Sequence, residues 1–377
     1  MLVYFSFEMC YYINMNYQQR MKLKYEKLKD KENVLILSVE SSCDETSIAV
    51  VKNGREVLSN IVASQIEIHR RFGGVVPEVA SRNHVMAISN IYVEALKEAG
   101  IEEKDIDAVA VTYGAGLMGA LLVGVNFAKG LAYKLDLPLI AVSHVYGHIS
   151  ANYISHQNLK PPFVCLMVSG GHTALLNVSG YNSMEMLGTT VDDAVGEAFD
   201  KVARVLGLCY PGGPEIDKLA QKGVKKYNFT VSKALKNTLN FSFSGIKTEV
   251  VNLVHNKTQK GEEIDKEDIA CSFQECVTEE LSSKAVRCCE ETGIKKLVVA
   301  GGVGANSRLK AKLGELCQER GIEFFSPVLK YCTDNSAMIG SMAYYMMKEG
   351  LGLAELSLTA KPNVELTNTS LMLGDCQ

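Results

Sequence analysis

The sequence predicts an α/β fold of two lobes that are copies of one structural unit. Residues 34–51 and 163–178 share one design, an apolar strand, a tight turn of small residues and a second apolar strand. Each half also contains a second matching segment, residues 107–117 in the first half and 296–306 in the second. In both, a buried-type strand runs into a glycine-rich turn that opens a helix. Because both halves repeat these features in the same order, we predict an internal duplication.

Helical patterns lie between the strands. Apolar residues within 85–96 form a stripe that Gly100 stops, and residues 194–206 and 269–289 form others. Strands that alternate with helices predict mixed α/β lobes. Two facing lobes, each with a small-residue hairpin tip at the gap, form a cleft in which backbone N–H groups can hold phosphate. We therefore predict the actin-like ATPase fold of actin, sugar kinases and heat-shock ATPases, with an interlobe nucleotide cleft.

The domain boundaries follow from this pattern. In chain order we expect a leader at 1–32, lobe one at 33–142, lobe two with the metal and nucleotide site at 143–335, a helix returning to lobe one at 336–360, and a tail at 361–377. The leader lacks the basic stretch and cleavage site of a signal peptide. Met15 or Met21 could be the true start, and we expect this leader to be partly disordered.

The composition is that of an ordinary soluble protein. The 377 residues are 47% hydrophobic and 22% charged, and no apolar run approaches the roughly 18 residues that a membrane helix needs. The 11 cysteines include no C-x-x-C pair, and Cys288 and Cys289 are adjacent, which is poor geometry for a disulfide framework. We therefore predict reduced thiols, a cytoplasmic location and no membrane partner.

The net charge of −4 argues against a protein that coats nucleic acid by bulk attraction. One stretch differs, because residues 218–247 carry a local charge of +7 and no acidic residue. Its basic residues are Lys218, Lys222, Lys225, Lys226, Lys233, Lys236 and Lys247. The stretch is either a solvated, loop-rich insertion or a surface that contacts a phosphate backbone, and the sequence leaves both open.

Two histidines four residues apart, His144 and His148, predict a metal site. On a helix both imidazoles leave the same face, one turn apart. Asp334, at the head of a later helix, is the best candidate for a third ligand. Two histidines and a carboxylate suit iron(II) or zinc, and the spacing does not choose between them. The alternatives are that the histidines cap or pack and that Asp334 is an N-cap.

A glycine turn predicts a phosphate site. Ser169, Gly170 and Gly171 follow the strand at 163–168, and paired glycines let a ligand approach the backbone closely. A plain hairpin turn is the alternative, because Gly-Gly forms one readily. The other hairpin tip should repel phosphate unless a cation lies between them, which weakly favours a nearby metal. Its residues are Glu40, Cys43, Asp44 and Glu45.

Four further residues are candidates for contacts with the rest of a nucleotide. Asp200 and Asp217 could hold ribose hydroxyls, and Gly213 could form the floor of a purine pocket. Taken singly, each aspartate is as well explained as a solvated helix residue. Asn306 starts a helix, so its amide could reach a base or cap the helix.

Eight ordered motifs, spread from about residue 34 to about residue 350, resemble one family. They are Glu40-Ser-Ser-Cys-Asp-Glu-Thr-Ser, Gly73-Gly-Val-Val-Pro-Glu-Val-Ala-Ser-Arg, His144-Val-Tyr-Gly-His, Val168-Ser-Gly-Gly-His-Thr, Gly196-Glu-Ala-Phe-Asp-Lys, Tyr210-Pro-Gly-Gly-Pro, Phe241-Ser-Phe-Ser-Gly-Ile-Lys and Cys332-Thr-Asp-Asn. Together they resemble the tRNA N6-adenosine threonylcarbamoyltransferases, once labelled glycoproteases. Met167 and His172 make the chain similar to the bacterial or organellar branch.

The resemblance implies an acyltransferase that moves a threonylcarbamoyl group from threonylcarbamoyl-AMP to N6 of the adenosine adjacent to the anticodon in tRNAs reading ANN codons. AMP is the second product. Carried over by position, the metal ligands are His144, His148 and Asp334, the substrate-contacting strand and turn are Met167, Val168, Ser169, Gly170 and Gly171, and the nucleotide contacts are Asp200, Gly213, Asp217 and Asn306. The expected cofactor is one divalent metal ion, with iron(II) favoured over zinc.

The resemblance also implies partners. Bacterial relatives work with a shorter actin-like paralogue and a P-loop ATPase. Nothing in this chain looks like the enzyme that makes the donor, so we expect a separate donor-synthesising enzyme.

Three other functions compete with this one. A metalloprotease of the H-E-x-x-H type needs a glutamate beside the first histidine, and Val145 stands there. A kinase or ATPase with the actin-like fold, which phosphorylates a small molecule, shares the cleft and the phosphate turns and would release ADP. A non-catalytic scaffold would lack the ligand set.

Overall fold

The computed structural model describes residues 15–364, which form two β-sheets with helices on their faces. The strands are β1 (Leu35–Glu40), β2 (Glu45–Lys52), β3 (Glu56–Ser64), β4 (Ala108–Gly114), β5 (Leu139–Ser143), β6 (Phe163–Val168), β7 (Thr173–Gly180), β8 (Ser183–Thr189), β9 (Lys296–Ala300), β10 (Glu323–Phe325) and β11 (Leu353–Ala354). The helices are α1 (Tyr17–Asp30), α2 (Ile66–Arg70), α3 (Pro77–Ala99), α4 (Met118–Leu135), α5 (His144–Ser155), α6 (Val195–Val205), α7 (Gly212–Ala220), α8 (Ser244–Lys260), α9 (Lys266–Thr292), α10 (Ser307–Glu319) and α11 (Ser336–Lys348).

The strand order shows the predicted duplication. The first sheet runs β11-β5-β4-β1-β2-β3 and the second runs β10-β9-β6-β7-β8. In the first sheet β1 pairs antiparallel with β2 and parallel with β4. In the second sheet β6 pairs in the same way with β7 and β9. Only β11, from the end of the described chain, breaks the match. The α/β duplicated architecture is therefore confirmed.

Helices and sheets alternate in layers. One face of the first sheet packs against α3 and α4, and one face of the second sheet packs against α6 to α10. The remaining faces share a third core, in which α5 and α11 lie between the sheets. The β5–α5 and β10–α11 segments are equivalent in the two halves, so the centre of the molecule is formed by two matching helices.

Two glycines allow α11 to lie close to its neighbours. A side chain at Gly147 on α5 would come within 2.7 Å of Ile339 Cδ1 on α11. A side chain at Gly340 on α11 would come within 2.8 Å of Val51 Cγ2 on the first sheet. Close backbone approach of this kind requires a residue without a Cβ. The helix predicted within 336–360 therefore packs on the first sheet while it also touches α5.

The N-terminal segment differs from expectation. Part of the leader that we expect to be partly disordered is the helix α1, which packs on the first lobe through Met21, Tyr25 and Leu28. The Tyr25 hydroxyl donates to the carbonyl of Leu351, and Lys24 Nζ lies 2.7 Å from Asp136 Oδ2 at the end of α4. Residues 1–14 lie outside the described residues.

The described end of the chain also contacts the first lobe. The Lys361 amide donates to the carbonyl of Tyr113 over 2.7 Å, and the Gly116 amide donates to the carbonyl of Pro362 over 2.9 Å. The rest of the predicted tail, residues 365–377, lies outside the described residues. Within residues 15–364, no helix combines the length and the apolar character needed to cross a membrane. The cysteines of this part of the chain are free thiols.

The packing of α1 gives a testable expectation. Tyr25→Ala removes a side chain that is 1% exposed, and we expect it to lower the free energy of unfolding by about 3–5 kcal/mol, the usual cost of deleting a buried aromatic ring. Leu23→Ala, at a side chain of the same helix that is 42% exposed, should change it by less than about 1 kcal/mol. Urea unfolding followed by circular dichroism measures both. Equal stability of the two variants would show that α1 does not hold the lobe.

Candidate metal centre and nucleotide cleft

The two histidines lie where α5 begins. Strand β5 ends at Ser143, and His144 is the first helical residue. The four-residue spacing places both rings on one face, with centroids 4.6 Å apart. His148 is almost fully buried, whereas His144 reaches the cleft. The prediction that both imidazoles share one helix face therefore agrees with the structure.

Asp334 lies just before α11, at the equivalent place in the other half. Asn335, rather than Asp334, is the N-cap, because its side chain accepts from the Met338 amide over 3.1 Å. The first turn of α11 is held to the first sheet, where Ser47 Oγ accepts from the Ser336 amide over 2.8 Å. The Asp334 carboxylate is thus left free to point at the histidines.

The three side chains converge. His144 Nε2 lies 3.4 Å and His148 Nε2 lies 3.2 Å from the same oxygen, Asp334 Oδ1. A ligand atom from each residue lies within 4.8 Å of the other two. Because a first-row divalent metal holds nitrogen and oxygen at about 2.1 Å, neighbouring ligands lie roughly 3.0–3.4 Å apart. The residues therefore fit a metal ion, and their types fit a borderline one.

Glu40 is the residue whose role the sequence did not predict. It is completely buried at the end of β1, and its Oε2 lies 3.0 Å from His144 Nδ1. The Ser42 amide and the Thr112 hydroxyl donate to its two oxygens over 2.5 and 2.6 Å. A carboxylate on the far ring nitrogen fixes the orientation of a metal-ligating histidine and makes it a better ligand. We had interpreted Glu40 only as part of an acidic tip.

Charge interactions hold the centre together. Burial alone would lower the pKa of His144, but the carboxylates of Asp334 and Glu40 outweigh it and raise that pKa well above its usual value. Burial would likewise raise the pKa of Asp334, and His144 and His148 outweigh it, so the pKa of Asp334 is strongly lowered. Asp334 is therefore ionised, as a metal ligand must be.

The rest of the first hairpin tip packs acidic side chains so closely that Glu45 is held neutral. The pKa of Glu45 is raised to about 10 by burial and by the nearby carboxylates of Asp334 and Asp44. The tip is held in place by His84, whose Nε2 lies 3.0 Å from the carbonyl of Cys43 and whose Nδ1 lies 2.7 Å from Thr46 Oγ1. Several acidic side chains packed at this hairpin tip favour a cation nearby.

The second hairpin tip is the glycine turn. The Ser169 amide donates to the carbonyl of His172 over 2.8 Å, which closes the turn. A side chain placed on Gly170 or Gly171 would meet no heavy atom within 4 Å, so this backbone faces open space. Within residues 15–364 the amides of these two glycines donate to no acceptor.

The strand before the turn contributes backbone alone. The side chains of Met167 and Val168 are fully buried in the core, so a ligand can reach only their main chain. The turn lies close enough to the two histidines to affect the pKa of His172. Burial, together with the charges of His144 and His148, lowers that pKa to about 4. His172 is therefore neutral.

The predicted nucleotide residues lie on helices of the second lobe. Asp200 Oδ1 accepts from the Gly212 amide over 2.7 Å at the start of α7, and burial raises its pKa. A side chain on Gly213 would meet nothing within 4 Å, so this residue borders open space. Asp200 and Gly212 line a cavity of about 40 Å³ together with Gly73 of the first lobe.

Asp217 and Asn306 already have partners. The Ser307 hydroxyl donates to Asp217 Oδ1 over 2.8 Å, which joins α7 to the start of α10. Asn306 caps α10 by accepting from the Leu309 amide over 2.9 Å, and its amide group donates to Gln274 Oε1 over 2.8 Å. The capping role that the sequence allowed is therefore present, and a nucleotide contact would have to share these groups.

Comparison with known proteins decides the family. A family model described as tRNA N6-adenosine threonylcarbamoyltransferase matches residues 56–341. A protein of that name from Clostridium perfringens is 55% identical over 88% of this chain and 98% of its own length. Another from Clostridium botulinum is 54% identical over 89% of this chain and 99% of its own. The chain belongs to the tRNA N6-adenosine threonylcarbamoyltransferase family. The bacterial-type resemblance is thereby confirmed, and the chain is a transferase.

Solved structures bear on the fold of this family member. HypF from T. kodakarensis matches 84% of this chain and 48% of its own with a TM-score of 0.58 at 16% identity. Component A of the (R)-2-hydroxyglutaryl-CoA dehydratase of Acidaminococcus fermentans matches 85% of this chain and 99% of its own with a TM-score of 0.50 at 17% identity. At such identities the likeness concerns the fold alone. The predicted actin-like ATPase class is confirmed.

Glu40 can be tested apart from catalysis. Glu40→Gln keeps the shape of the side chain but removes the charge that faces His144, and we expect metal affinity to fall about 10- to 100-fold. Chelator competition with Zn²⁺ or Co²⁺ measures the dissociation constant. Glu56→Gln, at an exposed side chain on β3, is the matched control and should bind as the original chain does. Undiminished affinity in a folded Glu40→Gln variant would exclude this positioning role.

Proposed function

We propose that this transferase moves the threonylcarbamoyl group of threonylcarbamoyl-AMP to N6 of the adenosine adjacent to the anticodon in tRNAs that read ANN codons, and releases AMP. One observation carries the proposal. In a chain of this family, a convergent pair of histidines and a carboxylate lies beside a glycine turn whose backbone faces open space.

The metal would be held by His144, His148 and Asp334. We infer iron(II) rather than zinc, although a set of two imidazoles and one carboxylate suits both ions. Bound there, it would supply a Lewis acid that polarises a carbonyl or phosphate oxygen of the donor.

The chain's own residues would position the donor. The free amides of Gly170 and Gly171 would donate hydrogen bonds to the phosphate of the departing AMP, which would stabilise the charge that develops on it. His172 stays neutral beside them. The backbone of Met167, Val168 and Ser169 would line the same edge, since two of those side chains are buried.

The nucleotide would extend toward the second lobe. Asp200 and Asp217 offer carboxylate oxygens to ribose hydroxyls, and Gly213 leaves room for the purine. Asn306 would contribute indirectly, because it caps the start of α10 and so holds that end of the helix in place. The donor is a reactive mixed anhydride, so holding it in line with the adenosine amine is the main requirement, and no covalent enzyme intermediate is needed.

Removal of the ligand set tests the proposal. The triple variant His144→Ala, His148→Ala and Asp334→Ala should lower transfer at least about a thousandfold, because a Lewis acid is worth several kcal/mol. The assay combines ATP, threonine, bicarbonate, a donor-making enzyme, tRNA and candidate partners, and measures the modified nucleoside by mass. His255→Ala, on the exposed face of α8, should leave transfer unchanged. Full activity of the triple variant would sink the mechanism. ADP production by the purified chain alone, without tRNA, partners or the donor-making enzyme, would favour the kinase alternative.

We also propose that the chain works in the cytoplasm with a shorter actin-like paralogue, a P-loop ATPase and a separate donor-synthesising enzyme. An apolar surface supports the first partner. Helices α3 and α4 pack side by side, and both carry large apolar side chains that remain exposed. They are Val85, Met86, Val93, Met118 and Leu122. Several exposed apolar side chains on two adjoining helices, here called the apolar patch, are typical of a protein interface.

A charge placed in this patch should prevent pairing. Val93→Glu puts a carboxylate at a side chain that is 64% exposed, and we expect affinity for the paralogue to fall at least about tenfold because the charge would be desolvated. Val224→Glu, at a similarly exposed valine that lies on the other lobe outside the patch, is the control. Titration calorimetry with the purified paralogue measures both. Equal affinities would place the paralogue elsewhere.

A further inference from the structure

A groove on the second lobe lies outside the metal centre and the glycine turn. It has a volume of about 510 Å³ and runs between the segment 225–236 and helix α9. We call it the basic groove, and its cationic lining residues are Lys225, Lys233, Lys236, Lys284 and Arg287. None of its lining residues belongs to the set proposed for the metal or the nucleotide. The basic stretch found in the sequence therefore borders a real concave surface.

Three of these cations are unpaired. Lys225, Lys233 and Lys236 are exposed, and within residues 15–364 none has a carboxylate within 4.0 Å. Other lysines of the same stretch are neutralised, as Lys226 lies 2.5 Å from Asp265 and Lys247 lies 2.5 Å from Asp193. Of the seven lysines of the stretch, Lys226 and Lys247 thus have carboxylate partners, Lys225, Lys233 and Lys236 line the groove, and Lys218 and Lys222 lie outside it.

The remaining two cations build the wall that carries these lysines. Lys284, whose side chain is only 4% exposed, donates to the carbonyls of Leu235 and Asn240. Arg287 donates to the carbonyls of Lys236 and Thr238. Because the backbone carbonyls point inward to α9, the loop is fixed in place while its lysine side chains stay exposed at the groove.

The acidic residues at the groove are already compensated. Glu280 Oε1 lies 2.6 Å from Lys284 Nζ, and Glu279 pairs with Lys312 of α10. The net field of the groove is therefore positive, in a chain whose formal charge is −4. Phe229 and Val231 contribute half-buried apolar side chains to its lining. Because unpaired positive charge gathers at this groove, it fits a polyanion.

We propose that the basic groove binds the sugar–phosphate backbone of the tRNA substrate at a part of the molecule away from the reacting adenosine. The inference rests on tRNA being the substrate. Each free lysine would neutralise one phosphate and release its counterion, which makes binding salt-dependent. Since the groove shares no residue with the metal centre, it would contribute to holding the tRNA and not to the transfer step.

The test removes the three free charges. The variant Lys225→Gln, Lys233→Gln and Lys236→Gln should bind full-length tRNA about 10- to 100-fold more weakly at moderate salt. The slope of log affinity against log salt should fall by about one for each lysine. Fluorescence anisotropy measures both. An isolated anticodon stem-loop should bind the variant and the original chain equally well.

The matched control removes the same charge elsewhere. Lys22→Gln, Lys97→Gln and Lys160→Gln change three exposed lysines that lie outside the groove. If this control loses as much affinity as the groove variant, the effect is bulk charge and the proposal is wrong. The proposal would also be overturned if the groove variant lost as much affinity for the stem-loop as for full-length tRNA, or if its tRNA binding were unchanged. Loss of binding to an acidic protein partner, with tRNA binding retained, would overturn it as well.

The two proposals fail separately. At saturating tRNA the groove variant should keep the transfer rate and show only a raised KM. If the original chain binds tRNA but transfers nothing to it, the proposed reaction fails while the groove remains testable by binding. If transfer proceeds and the groove variant has an unchanged KM, the groove alone fails.

Discussion

The close packing of α5 on α11 is the contact on which the candidate site depends. His144 and His148 are carried by the first turns of α5, and Asp334 directly precedes α11. The Ser150 hydroxyl donates to the carbonyl of Met338 over 2.6 Å, and Gly147 leaves room for Ile339. The distance between the ligands is therefore set by the crossing of the two helices. The glycine between the two histidines, Gly147, is required by this packing. The same close packing brings Asp334 within reach of both imidazoles.

The duplication explains why such a site exists. Strands β5 and β10 are equivalent. The candidate ligands lie in the first turns of the helix after β5 and just before the helix after β10, so neither half could form the centre alone. The two hairpin tips are also equivalent but have opposite characters. The β1–β2 tip buries the carboxylate of Glu40 behind His144, whereas the β6–β7 tip presents the bare backbone of Gly170 and Gly171. One copy thus supports a cation, and the other leaves donors for an anion.

Much of this arrangement was predictable because it is local. Alternating apolar strands, the glycine stop at Gly100 and the i, i+4 histidines are visible within single windows of sequence. The role of Glu40 was not visible, because it depends on Thr112 and His144, which lie far along the chain. Helix α1 was missed although Met21 and Tyr25 lie one turn apart, since so many lysines surround its narrow apolar stripe. Both the role of Glu40 and the packing of α1 depend on contacts between residues that are far apart in the sequence.

The two ends of the cleft are held together by different forces. At the metal end, one continuous apolar core runs from the first sheet through α5 and α11 to the second sheet. At the nucleotide end, the lobes meet through hydrogen bonds, in which Arg204 donates to the carbonyl of Gly73 over 2.6 Å and Arg70 donates to that of Tyr210 over 3.1 Å. Each such bond contributes about 1 kcal/mol, far less than a buried core. The candidate metal ligands therefore lie where the two lobes share a core, and the candidate nucleotide residues lie where separating the lobes costs least.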